Sequence, residues 1–272
     1  MNIVFWSPLC GHGATTSNLT CMAIMSSLLY SYRTVSFQSG FSNNYLDQTF
    51  LGERSNQAFV REEFTCYADK GIDGVMSSMA LNTFVCEEME DYLVEIVKGL
   101  NYYIPSTKRS NEAVFTERMA TSLPKLLESC GREFDITFVD HQGSQGRISD
   151  LLFENADLCV INLNQNPELI HYAREQFEKV NCGSKVMYII GRYDESNHYT
   201  VKNIAGKFNI SKSDIGVIPY NSEFMDAVLS DRTKEFLKEN LRCSRRSFNY
   251  NFMCEVRELT GKLLTKAGMI NV

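Results

Sequence analysis

The chain has 272 residues, with 27 Lys and Arg against 33 Asp and Glu and a formal charge of −6. A length of this order holds one large domain or two small ones, and 44% hydrophobic with 22% charged residues excludes a disordered chain, a collagen and a coiled coil. The acidic balance argues against a whole-surface nucleic-acid binder and leaves room only for a local basic patch.

Apolar runs such as 158–163 and 186–190 are far shorter than the ~18 to 20 residues of a membrane-spanning helix. No signal-peptide pattern is expected ahead of the first strand-like run. The nine cysteines are odd in number and contain no C-x-x-C pair, which offers neither a zinc ribbon nor an iron–sulfur site. Reduced thiols in a cytoplasmic protein are the expectation.

In chain order, residues 2–6 (NIVFW) form a short apolar run. A glycine-containing turn follows, and then 17–30, where apolar positions 19, 22, 23, 28 and 29 keep a helical period. Residues 34–37 read as a second strand and 38–44, rich in Ser, Asn and Gly, as loop. Residues 59–98 read as helical, with Glu87, Glu88, Glu90, Asp91 and Glu95 as a solvated face. Short strands are predicted at 101–104, ending at Pro105, at 134–139, ending at Asp140, and at 158–163, 186–190 and 215–218. Helical stretches at 116–129, 168–180 and 201–208 lie between them.

This alternation predicts an α/β fold: a three-layer α/β/α arrangement around a mostly parallel, doubly wound sheet of about seven strands. No Pro- or Gly-rich linker and no repeat divides the chain. A single domain over residues 1–272 is expected, closed by a helix from 249 to 266 whose Phe252, Val256, Leu259, Leu263 and Leu264 are spaced to pack on the sheet.

In such sheets ligands bind at the carboxyl ends of the strands, and the first βα turn is the usual phosphate site. That turn reads SPLCGHGATTS, Ser7 through Ser17. Gly11 and Gly13 permit a tight loop with inward N–H groups, and Thr15 and Thr16 stand at the helix start, where a hydroxyl caps the helix or ligates Mg²⁺. The spacing G-x-x-x-x-G-K-[ST] fails at Pro8 and Ala14. Asp140 suits a strand-end Asx turn as well as a magnesium role. His12 and His141 serve as general bases only with geometry that a sequence does not supply.

Four further segments follow the loop in a fixed order. They are Ile104-Pro105-Ser106; FDITFVDHQGS at 134–144; 157–163 with Asn166-Pro167-Glu168; and IGVIPYNSEFMDA at 215–227. Together the five resemble the MinD/ParA family of deviant P-loop ATPases, over residues 2 to about 233. The family's K-G-G-V-G-K-T-T lines up with LCGHGATT, Leu9 to Thr16.

The resemblance implies a P-loop NTPase fold. It implies ATP or ADP on Gly11, His12, Gly13, Ala14, Thr15 and Thr16, and Mg²⁺ on Thr15 and on Asp140 as the switch II aspartate. It also implies a homodimer. Both family lysines are replaced, by Leu9 and Ala14, and the acidic D-x-D after the second strand by Gln38 and Ser39.

One charge-assisted contact is worth ~1.5 to 3 kcal/mol, so the resemblance implies weakened nucleotide binding and slow or absent hydrolysis. Within the family the TadZ/CpaE description follows: a localisation or assembly factor for a pilus or secretion machine, recruited from the cytoplasm to a membrane-associated site through protein partners. The alternative is a working Mg-ATPase of the partition type with a basic group supplied from elsewhere, for which Arg147 is the candidate. DNA association would run through Arg242, Arg245 and Arg246.

Overall fold

Alternating apolar side chains in the first strand set the architecture. In β1 (Asn2–Ser7) Ile3 and Phe5 belong to one core cluster and Val4 and Trp6 to another, all of them fully buried. A strand buried on both faces belongs inside a covered sheet. In this computed structural model, which describes residues 1–9, 11–41, 45–51, 70–142, 146–178 and 185–270, seven more strands join it. They are β2 (Thr34–Gln38), β3 (Val94–Val97), β4 (Asn101–Tyr103), β5 (Ile136–Gln142), β6 (Leu158–Leu163), β7 (Lys185–Tyr193) and β8 (Ile215–Pro219).

Their order is β3-β4-β2-β5-β1-β6-β7-β8. Every neighbouring pair is parallel except β3 with β4.

Helices cover both faces. The Val4/Trp6 face meets α3 (Gly71–Ala80), α4 (Glu112–Glu133), α5 (Arg147–Glu154), α6 (Pro167–Glu178) and α7 (Val201–Phe208). The Ile3/Phe5 face meets α1 (Thr15–Tyr30), α2 (Tyr45–Leu51), α8 (Ser222–Leu229), α9 (Thr233–Asn240) and α10 (Tyr250–Ala267). The three-layer α/β/α fold is therefore as the sequence predicts. From β1 the chain crosses to β2 on one side, while β6 flanks β1 on the other, so the carboxyl end of β1 is the switch point where a crevice opens.

The sheet has eight strands among the described residues, and the unexpected one is β3. Its sequence VEIV exposes Glu95 and leaves Ile96 alone fully inward, an edge pattern that reads as the tail of an amphipathic helix. The segment expected to be helical over 59–98 is α3, a 3-10 turn (Cys86–Tyr92) and β3, while 59–69 lie outside the described residues. The acidic run is solvated as expected: Glu87, Glu88, Glu90, Asp91 and Glu95 are all exposed.

The helix predicted over 116–129 is longer, starting after Asn111, whose side chain accepts from the Val114 N–H as an N-cap. Helices α2, α5, α8 and α9 were not anticipated; each is short, and the Asn221 side chain caps α8 by accepting from Phe224 N–H. The terminal helix lies where the spacing put it, with all five of its named apolar residues buried. No helix among the described residues is long and apolar enough to cross a membrane.

Candidate functional site

The turn after β1 is held from below by buried amides. A Cβ on Gly13 would stand 2.4 Å from the Asn162 carbonyl oxygen and 2.8 Å from Ser7 Oγ, so only glycine lets the loop lie this close to β6. Asn18 on α1 donates from Nδ2 to the Gly13 carbonyl at 3.1 Å and to Asn162 Oδ1 at 2.9 Å. Asn162 in turn donates to the Trp6 and Val160 carbonyls. From the next loop, Asn164 Nδ2 donates to the His12 carbonyl at 3.1 Å.

The loop enters α1 through Ala14, which sits at φ 52, ψ 30 in the left-handed region and supplies no side-chain cap. The first-turn N–H groups of α1 therefore keep the positive end of the helix dipole free for an anion.

Above this helix end lies a cavity of about 320 Å³ lined by Ser7, Gly11, Ala14, Thr15, Thr16, Ser17, Gln48, Thr49, Gln142, Arg192, Met225, Val228 and Leu229. One wall is polar and built from the loop, α2 and β5. The other is apolar and comes from α8. Pro8, Leu9 and His12 do not line it; Leu9 is 40% exposed and His12 is exposed, so none of these three side chains fills the space.

On the β5 side the groups are sealed. Asp140 is completely buried and accepts from Thr16 Oγ1 at 2.7 Å, while Gln142 Nε2 donates to the same Thr16 oxygen at 3.2 Å. Burial pushes the Asp140 carboxyl up to about 6, against the lowering effect of donation from Thr16 and Gln142. Next to it, His141 joins Ser39 Oγ at Nδ1 (2.8 Å) and Ser149 Oγ at Nε2 (2.9 Å). Burial pushes this imidazole down to about 4, so it is neutral at pH 7. Both ring nitrogens are engaged by hydroxyls, which leaves none for a proton-abstracting role. Gln38 is buried as well, donating from Nε2 to the Gly40 carbonyl at 3.1 Å.

The sequence-picked residues divide accordingly. Gly11, Ala14, Thr15 and Thr16 line the cavity, Gly13 supports it from beneath, and His12 is exposed outside the lining. Thr15 and Asp140 are not joined; the hydroxyl that meets Asp140 is that of Thr16.

Among the described residues no group of three or more His, Cys, Asp or Glu is placed to hold a metal. A Mg²⁺ bound mainly through phosphate and water needs only one or two protein oxygens. Thr15 lines the cavity and fits that limited demand, whereas Asp140 Oδ1, buried with no hydrogen-bond partner among the described residues, lies behind Thr16 and outside the lining.

Arg147 does not reach the loop. It is exposed at the start of α5 and lines a separate hollow with Asn111, Glu112 and Glu117. Arg242, Arg245 and Arg246 are exposed in the segment between α9 and α10. The cation beside the loop is Arg192, at the end of β7, which the sequence reading missed because it ended that strand at residue 190; β7 runs on to Tyr193. Asn18 and Asn162 were missed too, although each is a lone amide in an apolar element, TTSNLTCMAIMSSLLY and LCVINL.

Neither a protein-family model nor a curated protein sequence matches the chain. Solved structures do. A ParA family ATPase from Chlorobium tepidum TLS superposes with a TM-score of 0.72 at 14% identity, covering 95% of this chain and 98% of that one. The septum site-determining protein MinD from Pyrococcus horikoshii OT3, complexed with Mg-ADP, gives 0.69 at 11% identity over 100% and 99% of the two chains. A chain of the MinC:MinD cell division protein complex of Aquifex aeolicus gives 0.65 at 16% identity over 97% and 96%.

The fold is that of the MinD and ParA ATPases. At these identities the likeness is one of architecture, spanning nearly the whole of each chain.

Proposed function

We propose that this chain is a MinD/ParA-like protein that binds adenine nucleotide weakly at the β1–α1 loop, turns it over slowly or not at all, and works as a dimeric localisation or assembly factor of the TadZ/CpaE kind. On this reading the chain is a single domain that acts in the cytoplasm and is recruited by protein partners to a pilus or secretion machine.

One observation carries the proposal. An open cavity over an uncapped helix N-terminus, with Thr15 and Thr16 in its wall, coexists with Leu9 and Ala14 at the positions of the family's two lysines. The helix end and hydroxyls favour phosphate, whereas a loop with no cation of its own leaves charge developing on a transferred phosphoryl group without its main stabiliser. The Mg-ADP bound to MinD of P. horikoshii and the MinC partner of A. aeolicus MinD are the models for ligand and for recruitment.

Calorimetric titration with ATP and Mg²⁺, paired with a phosphate-release assay, tests it. Micromolar-to-millimolar binding with negligible release is the expected result; robust turnover abolished by Thr15→Ala would sink the proposal.

A further inference from the structure

We infer that Arg192 is the phosphate-binding cation of the cavity, acting from the β7 side in place of the lysine absent at position 14. The inference rests on the nucleotide reading above and gives that site its electrostatics.

The chain has no Lys or Arg between Met1 and Tyr32, so the loop cannot neutralise a polyphosphate with its own side chains. Among the described residues lining the cavity, Arg192 alone carries a charge. Its side chain is exposed and joins no described residue by a hydrogen bond or an ion pair. Its backbone is unusual as well. β7 keeps register with β8 through Gly191 and shifts before Tyr193, and Arg192 occupies the shift at φ 51, in the left-handed region.

A bulge of this kind re-aims a side chain out of the strand's alternation. Gly191 shows how close it brings the strand end to the loop, because a Cβ there would lie 3.1 Å from Ala14 Cβ.

The position of Arg192 also says which phosphates it meets. Met225, Val228 and Leu229 form the apolar wall of the cavity, the natural surface for a base. Thr16 and Gln142, at the β5 end, are uncharged and bonded to each other. Strand β7 lies on the opposite side of β1 from β5. The guanidinium therefore faces the phosphates nearest the base, and a third phosphate reaches no further cation among the described residues of the cavity wall.

The test is calorimetric titration of the full chain with adenosine, ADP and ATP in EDTA, so that no divalent ion contributes. The wild type is expected to bind ADP and ATP within about threefold of each other. Arg192→Gln is expected to weaken both about ten- to a hundredfold while leaving adenosine unchanged, and Arg192→Lys to recover most of the loss. Arg147→Ala changes none of the three.

A parallel loss of adenosine affinity in Arg192→Gln would place the guanidinium on the base and overturn the inference. So would unchanged ADP affinity, or a wild type that prefers ATP tenfold. Should Arg192→Gln not fold, the salt dependence of the wild type decides: ADP affinity that falls with ionic strength beside constant adenosine affinity supports the cation, and ADP affinity insensitive to salt removes it. A wild type that binds none of the three ligands overturns the nucleotide reading itself, which is distinct from binding that Arg192→Gln leaves untouched.

Discussion

The carboxyl edge of the sheet has two halves that meet at β1, and they are built on opposite plans. On the β6–β7 side the loop rests on a buried amide network, Asn18 to Gly13 and Asn162, beneath an open cavity. On the β5–β2 side, behind the cavity-lining Thr16 and Gln142, polar groups face each other: Thr16 donates to buried Asp140, and Ser39 and Ser149 clasp a neutral His141. The first half retains space for a ligand. The second is closed by hydrogen bonds that tie Thr16 to Asp140 and His141 to Ser39 and Ser149. One sheet edge thus holds an open hollow beside a sealed polar interior.

The sharpest way to break this contrast is Gly13→Ala. The added methyl meets the Asn162 carbonyl at 2.4 Å, a backbone atom that cannot step aside, so a loss of about 3 kcal/mol is expected. Thermal unfolding and nucleotide titration should both report it.

A comparable effect is expected from the closed half as a function of pH. Asp140 has a folded value near 6 against 3.8, so the folded state holds its proton more tightly. Its penalty is absent below about pH 4 and complete above about pH 6, roughly 3 kcal/mol in all. His141, pushed down to about 4 from 6.5, acts with the opposite sign: its neutral burial is favourable above pH 6.5, and that contribution is lost as pH falls towards 4. The two offset each other between pH 4 and 6.

Denaturant titrations at stepped pH should therefore find Asp140→Asn more stable than wild type at pH 8 and losing stability on acidification. His141→Asn should gain stability over the same descent. Identical profiles for both variants and wild type would mean that these groups are hydrated.

Restoring the loop lysine sharpens the contrast from the other side. Ala14→Lys should tighten ATP binding about ten- to a hundredfold without raising phosphate release, because Gln38 and Ser39 carry no charge and the Asp140 carboxyl stays buried against Thr16. Released phosphate rising in step with affinity would contradict the division of labour. The smallest effect is expected for Ser149→Ala, which leaves one ring nitrogen of His141 without its hydroxyl. A loss of about 1 kcal/mol in chemical denaturation is expected, with nucleotide affinity unchanged.

Much of the open half was legible in the sequence, since Gly11, Gly13, Thr15 and Thr16 are local signals following a strand. Arg192 was not, for a physical reason: its relevance comes from a register shift between β7 and β8, and pairing register is not written in either strand alone. The closed half was misread in detail because Ser39, His141 and Ser149 are distant in sequence and meet only through parallel pairing of β2 with β5 and the packing of α5. Among the secondary elements, β3 escaped because its one inward residue, Ile96, sits among acids that suit a helix surface.

Helix α1 is buried at every position from Asn18 to Ser27, on all sides rather than along one stripe. Packed interiors do not slide continuously, so this helix behaves as a fixed axle. Any mechanical response to a ligand at its N-terminus must appear in the segments around it, and amide exchange within Asn18–Ser27 should be the same with and without nucleotide.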